Sequence, residues 1–249
     1  EDMLRQGWID LVSIMDHTPG QGQYSDTSRY VTFLKEWLGF TDTELASVYS
    51  RIESKVEVMA VTPRDWTLAK AIIDTALAHD VVVASHDDDT VEKITAQADM
   101  GVTIAEFPIN VASAEAARAR GMHTIMGAPN AYRGESNTGN LSAMDGIRAG
   151  VVDILASDYY PAAMLQTPFK IVQHGVLPLP EAIRLVTLNP ARAAGLTDRG
   201  QIAVGQRADL VLVEPGDEVR VRVTLRGGEA IYMDAHGARL WQALPTPAD

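Results

Sequence analysis

Short apolar runs alternate along most of the chain with longer stretches in which apolar residues recur at helical spacing. The apolar runs are continuous, as expected for parallel strands that are covered on both faces. This alternation predicts βα units with a parallel sheet. Five runs are predicted strands: Ile9 to Met15, Val81 to Ala84, Val102 to Ala105, His123 to Met126 and Val152 to Leu155.

The stretches between these strands are rich in Ala, Glu, Arg and Leu and predict helices. Asp, Ser or Thr near several helix starts, and Gly121 and Gly150 at two helix ends, match the preferences of helix caps. The predicted helices are Ser28 to Leu38, Asp42 to Glu53, Pro63 to His79, Thr90 to Met100, Ser113 to Arg120 and Asn140 to Gly150.

The pattern changes in the last third of the chain. A helix is predicted over Pro178 to Leu188 and is expected to stop at Asn189-Pro190. Beyond Gly195, turn sequences separate short apolar runs that predict a small β-rich unit: Gly200 to Ile202, Ala208 to Val213, Arg220 to Leu225 and Glu229 to Met233. We therefore expect a barrel-forming part over residues 1–195 and a small β domain over residues 196–249.

Length and charge exclude several classes of protein. The 249 residues allow one large domain or two small ones. No apolar run reaches the roughly 18 to 20 residues that span a bilayer, and Glu1 to Gln6 lack a basic stretch leading into an apolar one. A formal charge of −12 is unlike that of a general nucleic-acid binder. We expect a cytoplasmic protein that binds neither nucleic acid nor membrane.

The absence of cysteine limits the chemistry, because any metal must then be held by His, Asp or Glu. In parallel α/β folds, chemistry gathers beyond the carboxyl ends of the strands. Each predicted strand ends in polar residues whose nitrogen and oxygen atoms suit Zn, Mn or Fe. These ends are Met15 to Gln23, Ser85 to Thr90, Glu106 to Pro108, Gly127 to Asn130 and Ser157 to Pro161.

Four residues at these ends are the main candidates for a site. His86 and Asp158 each follow an apolar strand and a small residue, and His17 follows the first strand in a similar way. Glu106 lies one residue beyond a buried strand, where an unpaired carboxylate is costly to desolvate. Glu106 therefore needs a cation, a metal or strong hydrogen-bond donors.

Other polar residues have structural explanations. One residue of Asp87 to Asp89 is expected to cap the following helix, with a ligand role for the triplet as the alternative. The remaining histidines are expected to be structural or solvated: His79, His123, His174 and His236.

The segment from Gly127 to Asn140 is a long loop rich in Gly, Asn and Ser. Such backbone can cradle phosphate oxygens, and Arg133 would add a bidentate guanidinium. It lacks the Gly-Lys-Ser/Thr ending of a P-loop, and a plain surface connection is the alternative.

The sequences at these strand ends, taken together, resemble those of the phosphonate-degrading branch of the amidohydrolase superfamily. The tail strings Leu188 to Ala191 and Gly200 to Leu212 are similar to those of many amidohydrolases. The segments whose sequences are most similar to that branch are Leu11 to Gln21, Ala84 to Thr90, Ile104 to Pro108, Met126 to Asn130 and Asp153 to Pro161.

The resemblance implies a (β/α)₈ TIM-type barrel, with strands four to eight present here, and a small β-sandwich. It implies one or two divalent metal ions, Zn before Mn or Fe, with Asp158 also accepting the proton of the attacking water. The expected metal ligands are His17, His86, Glu106 and Asp158. The expected substrate-binding residues are Gln21, Asp87, Asp88, Asn130, Arg133, Asn137 and Tyr159.

The activity implied by the resemblance is cleavage of a ribose 1-methylphosphonate 5-triphosphate, a small phosphorylated sugar, into the 5-phosphate and diphosphate. One alternative is hydrolysis of a C–N bond, as in a deaminase or a cyclic amidase. Another is a non-catalytic subunit of a phosphonate-degrading complex.

The chain departs from the superfamily pattern at its start. It contains no His-X-His motif of a first barrel strand. By strand count we expect about three βα units, the first-strand ligands and half of the sandwich to precede it. Either the source protein is longer, or the chain is a remnant without activity. Because an arc of five strands leaves the edge of Ile9 to Met15 open, a homo-oligomer is a further expectation.

Overall fold

Five parallel strands form the main sheet of the computed structural model, which describes residues 6–7, 9–15, 35–36, 39–48, 50–51, 65–134, 136, 140–216 and 218–243. Each strand pairs with its neighbour in the chain, in the order β1-β2-β3-β4-β5. This order never reverses, as in a barrel of consecutive βα units and unlike a doubly wound sheet. The expected α/β fold is confirmed. The strands are β1 (Leu11–Met15), β2 (Val82–His86), β3 (Ile104–Glu106), β4 (His123–Gly127) and β5 (Ile154–Ala156).

Helices connect the parallel strands and continue after the last of them. Residues 42–48 are helical as well. The helices with defined bounds in the described part of the chain are α1 (Thr67–Leu77), α2 (Val91–Asp99), α3 (Val111–Ala119), α4 (Ala128–Arg133), α5 (Ala143–Arg148), α6 (Ala163–Gln173), α7 (Leu179–Arg184), α8 (Leu188–Ala193) and α9 (Ala235–Gln242). None of them is long and apolar enough to cross a membrane.

Small and branched apolar residues fill the space between helices and sheet. Val83 of β2 and Ile94 of α2 are completely buried in one cluster with Ala117 of α3. Leu155 of β5 and Ile171 of α6 belong to a second cluster. The small side chain of alanine lets the helices approach the sheet closely.

The helix caps differ in part from expectation. Thr90, and none of the three aspartates before it, caps α2 by accepting a hydrogen bond from the backbone N–H of Lys93 at 3.2 Å. Asn110 caps α3 in the same way through the N–H of Ser113 at 2.8 Å. The prediction of a cap within Asp87 to Asp89 is therefore wrong, because a residue of extended backbone directly before the first helical turn takes that role.

A small antiparallel sheet follows the barrel part. Its strands β6 (Leu210–Glu214), β7 (Arg220–Arg226) and β8 (Glu229–Met233) lie in chain order, and α9 contacts β7 and β8. The side chain of Gln166 in α6 bonds both backbone groups of Val219, at 2.8 Å to its oxygen and 2.9 Å to its nitrogen. This contact joins the small sheet to the helices of the barrel part.

Two expectations about the tail are wrong. Gly200 to Ile202 is not a strand, because Gly200 has a φ of +94° and packs against Leu188 and Ala191 of α8. Asn189-Pro190 does not stop a helix, because α8 begins at Leu188 and carries Pro190 in its first turn. A proline is tolerated there, since the first N–H groups of a helix have no partner within it.

Candidate functional site

A cleft of about 410 Å³ opens at the carboxyl ends of the parallel strands. Four of the elements that border it are β2, β4, the turn after β5 and α4. Of the residues expected from sequence, six line this cleft: His86, Asp87, Asn130, Arg133, Asp158 and Tyr159. The structure therefore brings together residues that are more than seventy positions apart in the chain, from His86 to Tyr159.

Strand register places the candidate ligands His86 and Glu106 side by side. His86 is the last residue of β2, and its Cα partners are Met15 on β1 and Glu106 on β3. Because side chains opposite each other in neighbouring strands point to the same face, the two groups meet at one edge of the sheet. His17 lies two residues beyond Met15, outside the described residues.

The imidazole of His86 is largely buried and lacks a full set of partners. Its Nδ1 atom lies 3.2 Å from an oxygen of Asp87 but makes no hydrogen bond of acceptable geometry. Burial lowers the pKa of His86, but the contact with Asp87 and the charges of Glu106 and Asp88 outweigh it, so the pKa is raised. A buried ring nitrogen without a hydrogen bond is suited to binding a metal ion.

The carboxylate of Glu106 is partly buried and lies near two other carboxylates, those of Asp87 and Asp158. Burial is the main cause that raises its pKa, and the charges of Asp87 and Asp158 raise it further. The charge of His86 and a hydrogen bond from Ser13 Oγ at 3.2 Å oppose this shift only in part. A bound cation would offset the excess of negative charge around Glu106.

Three residues that follow strand ends have left-handed backbone although none is glycine. Asp87 and Phe107 have φ values of +52°, and Asp158 has a φ of +49°. Such backbone is unfavourable for residues with a β-carbon and is found most often where a site requires it. All three residues line the cleft, whereas Asp80, which has a φ of +57°, lies in a turn away from it.

Phe107 is a cleft residue that sequence reasoning missed. Its ring packs edge to face with His86, with ring centroids 5.2 Å apart and an interplanar angle of 62°. Phe107 also lies close to Gly127, at the side of Asp158. The signal in the sequence was an aromatic residue directly after the carboxylate of a strand end.

The segment after β4 begins with a helix and not with the expected loop. Ala128–Arg133 form α4, which ends at Gly134 with a φ of +83°. Pro129 is compatible with this helix because it lies in the first turn. The oxygen of Asn130 accepts a hydrogen bond from the N–H of Ala143 at 2.8 Å, which ties α4 to the start of α5.

The basic side of the cleft is formed by Arg133 and Tyr159. Arg133 donates a hydrogen bond to the hydroxyl of Tyr159, and its guanidinium carbon lies 5.8 Å from the centre of the Tyr159 ring. The tyrosine thus holds the guanidinium at the cleft without neutralising its charge. This leaves a positive group facing the space between α4 and the turn after β5.

The structure does not place every expected residue in the cleft. Asp88 is completely buried and pairs with Lys93, and neither Asp88 nor Glu106 lines the cleft. The roles expected for these two residues stay predictions. Gln21 and Asn137 lie outside the described residues. Among the residues that the structure describes, no three His, Asp or Glu side chains lie close enough together to hold a metal ion.

His123 lies at the opposite end of the strands, as expected. Its Nδ1 atom contacts Asp153 at 2.9 Å, and Arg118 bonds the same carboxylate at 2.7 Å. Asp153 also accepts the backbone N–H of Thr124 at 2.8 Å. The structural role predicted for His123 is confirmed.

Comparison with known proteins supports the family resemblance. The sequence profile of the amidohydrolase family matches residues 144–232. Over 237 residues the chain is 37% identical to alpha-D-ribose 1-methylphosphonate 5-triphosphate diphosphatase of Escherichia coli strain K12. This match covers 93% of the chain and 61% of that relative, so the chain spans less than two thirds of its length.

Other similarities are shorter or concern the fold. Adenine deaminase 2 of Latilactobacillus sakei is 43% identical over 75 residues, which are 30% of this chain and 12% of that protein. The crystal structure of an amidohydrolase from Thermotoga maritima MSB8 has a TM-score of 0.54 at 15% identity, covering 89% of this chain and 62% of the other. At this identity the likeness shows a shared fold.

Proposed function

We propose that this chain forms the substrate cleft of a metal-dependent hydrolase that cleaves a ribose 1-methylphosphonate 5-triphosphate into the 5-phosphate and diphosphate. The observation that carries the proposal is a cleft that His86 and Asp158 line together with Arg133. Glu106 is the strand partner of His86, and its pKa is raised in part by the charge of Asp158. The 37% identity to a diphosphatase of this specificity supports it. The proposal includes a cytoplasmic location and a homo-oligomeric assembly.

The donor set fits a divalent metal in its chemistry. His86 offers a buried nitrogen without a hydrogen bond, and the carboxylates of Glu106 and Asp158 share a region of negative charge. We assign these three residues, with His17, as ligands of one or two ions, with Zn favoured over Mn or Fe. When bound, such an ion acts as a Lewis acid and lowers the pKa of water.

The remaining chemistry falls to the side chains of the chain itself. Asp158 accepts the proton of the water that attacks the phosphorus nearest the ribose, and diphosphate leaves as its bond to that phosphorus breaks. The guanidinium of Arg133 binds phosphate oxygens and offsets the charge that the transferring group carries. Asp87 and Tyr159 border the same space and orient the substrate.

The test is a substrate screen of the metal-loaded full-length protein. The triphosphate of ribose 1-methylphosphonate is compared with ATP, adenine and cyclic amides, and both diphosphate and ammonia are measured. Release of diphosphate from the ribose triphosphate, with little from ATP, is the expected result. Absence of diphosphate from every triphosphate would overturn the proposal.

Hydrolysis of a C–N bond is the second candidate, because the match to adenine deaminase 2 reaches 43% identity over 75 residues. Release of ammonia from adenine in the same screen would favour it. A non-catalytic subunit of a phosphonate-degrading complex is the third. It would be favoured if the full-length protein retained no divalent metal after dialysis against buffer with Zn²⁺.

A further inference from the structure

A buried ion pair lies directly behind the end of β2. The ammonium of Lys93 in α2 and the carboxylate of Asp88 are both completely inaccessible to solvent, and their charged atoms are 3.2 Å apart. Removing two charges from water costs more than their attraction returns unless further hydrogen bonds satisfy both groups. Even a well-satisfied buried pair is weak evidence for a stabilising role, because packed uncharged residues of similar volume often replace it without loss of stability.

Lys93 makes two further contacts that involve the strand end itself. Its Nζ atom donates to the backbone oxygens of His86 at 3.3 Å and of Asp87 at 3.4 Å. These are two consecutive carbonyl groups, one at the last residue of β2 and one in the left-handed turn that follows. One ammonium group thus binds the last carbonyl group of β2 and the first carbonyl group of the turn that follows.

The carboxylate of Asp88 is held by side chains from the strand and the helix. Ser85 Oγ donates to Asp88 Oδ2. Gln97, with its amide nitrogen turned toward Asp88, donates to the two carboxylate oxygens at 2.9 and 3.2 Å. Both members of the ion pair are therefore satisfied, and the network links β2 to α2 beneath His86.

The backbone around this network is fixed as well. The N–H of Asp87 donates to the oxygen of Glu106 at 3.0 Å, and the N–H of Ile109 donates to the oxygen of Asp88 at 3.0 Å. These two bonds tie the turn after β2 to the turn after β3. The strands that lead into these turns end at His86 and Glu106.

We propose that Lys93 and Asp88 are positioning residues, which hold the turn after β2 so that the imidazole of His86 and the carboxylate of Asp87 face the cleft. The inference rests on the proposed function in taking His86 as a metal ligand. Neither residue lines the cleft, so both act through the backbone that they bind. A pair that served only stability would be replaceable by uncharged groups with no effect on the site.

The test compares three variants with the unsubstituted protein, all in their full-length form. Lys93→Met removes the ammonium but leaves the Asp88 charge buried and unpaired, which can prevent folding. The double variant Asp88→Asn/Lys93→Met removes both charges and keeps similar volumes. The matched control is Asp74→Asn/Lys70→Met, which makes the same changes in an exposed ion pair of α1.

Three quantities are measured: the midpoint of urea unfolding, Zn²⁺ affinity by chelator competition, and the visible spectrum of the Co²⁺-loaded protein. We expect the double variant to unfold near the midpoint of the unsubstituted protein, yet to bind Zn²⁺ about tenfold to hundredfold more weakly. Its Co²⁺ spectrum should change, whereas the control should alter neither metal property. Unchanged affinity and spectrum in a folded double variant would overturn the proposal.

Amide hydrogen exchange separates this inference from the proposed function. If the unsubstituted protein binds no divalent metal, the proposed function fails. The positioning role is then decided by exchange at Asp87 and Ile109, the two amides that the strand-end turns protect. If these two amides exchange faster in Asp88→Asn/Lys93→Met than in the unsubstituted protein, at unchanged global stability, the result supports the role of Lys93 and Asp88. Unchanged exchange in the double variant rejects it.

Discussion

Gly127 provides the space that the carboxylate of Asp158 occupies. A β-carbon at Gly127 would lie 3.1 Å from Asp158 Oδ2 and 3.5 Å from the ring of Phe107. Gly127 ends β4, and its Cα partner on β5 is Ala156, two residues before Asp158. A larger residue at the end of β4 would therefore displace the carboxylate of Asp158.

The variant Gly127→Ala should lower turnover about tenfold and weaken metal binding, because small displacements of a reacting group cost much of its rate. Its thermal stability should change little, since the backbone of Gly127 is of an ordinary extended type. Turnover and Zn²⁺ affinity are the measurements. Gly216→Ala is the control, because its β-carbon would make only an ordinary contact of 3.5 Å.

Asp158→Asn should abolish most turnover while the protein remains folded. The amide keeps the size of the carboxylate but accepts no proton, and loss of a general base lowers rates by about 10² to 10⁴-fold. Circular dichroism and urea unfolding should match those of the unsubstituted protein. Turnover equal to that of the unsubstituted protein would show that another group takes the proton.

Much of this site was predictable because strand ends leave a clear pattern in the sequence. His86 and Asp158 each follow a continuous apolar run, and the parallel topology brings such positions to one edge. Arg133 was found through the Gly-rich segment around it, although that segment begins with a helix. The orientation of the site's side chains could be seen only in the three-dimensional structure, because spacing along a chain does not show which way a side chain points.

Asp88 illustrates this limit. In sequence it is one of three adjacent aspartates after a strand, with nothing to distinguish it from Asp87. In the structure the left-handed φ of Asp87 turns the chain, so that Asp87 borders the cleft and Asp88 meets Lys93 in the interior. The buried partner, Lys93, is five residues further on, in α2.

Arg133→Met should weaken binding of the proposed triphosphate substrate more than it slows the chemical step. Loss of a charged hydrogen bond of about 1.5 to 3 kcal/mol corresponds to a rise in KM of roughly tenfold to hundredfold. Kinetics over a range of substrate concentrations give KM and kcat separately. Arg148→Met serves as the control because Arg148 forms an exposed ion pair with Asp145 on α5. An unchanged KM in Arg133→Met would contradict phosphate binding by this residue.

Asp153→Asn should reduce stability in a manner that depends on pH. Burial raises the pKa of Asp153, but hydrogen bonds from His123 and Thr124 and the charge of Arg118 outweigh it, so the pKa is lowered. A lowered carboxyl pKa stabilises the fold above the unfolded pKa of about 4, and this contribution is lost as the pH falls through the folded value. The variant should be less stable by about 1 to 3 kcal/mol at neutral pH.

The measurement for Asp153→Asn is urea unfolding across the acidic range. The difference from the unsubstituted protein should narrow below about pH 4, where the native carboxylate also becomes protonated. Asp74→Asn, which alters an exposed carboxylate on α1, should show a much smaller difference. A difference for Asp153→Asn that stays constant with pH would argue against stabilisation by its charge.

Asn110→Ala should destabilise the protein more than Thr90→Ala, although both remove a helix cap. Loss of the Thr90 cap of α2 should cost about 1 kcal/mol. Asn110 caps α3 and also donates from its amide nitrogen to the backbone oxygen of Asp89 at 2.8 Å. Its replacement removes that second bond as well, worth about another 1 kcal/mol.

Because the bond ties α3 to the turn after β2, Asn110→Ala should also weaken Zn²⁺ binding, whereas Thr90→Ala should alter stability alone. Urea unfolding and chelator competition measure the two effects, and equal losses of stability in both variants would show that the link to Asp89 contributes nothing.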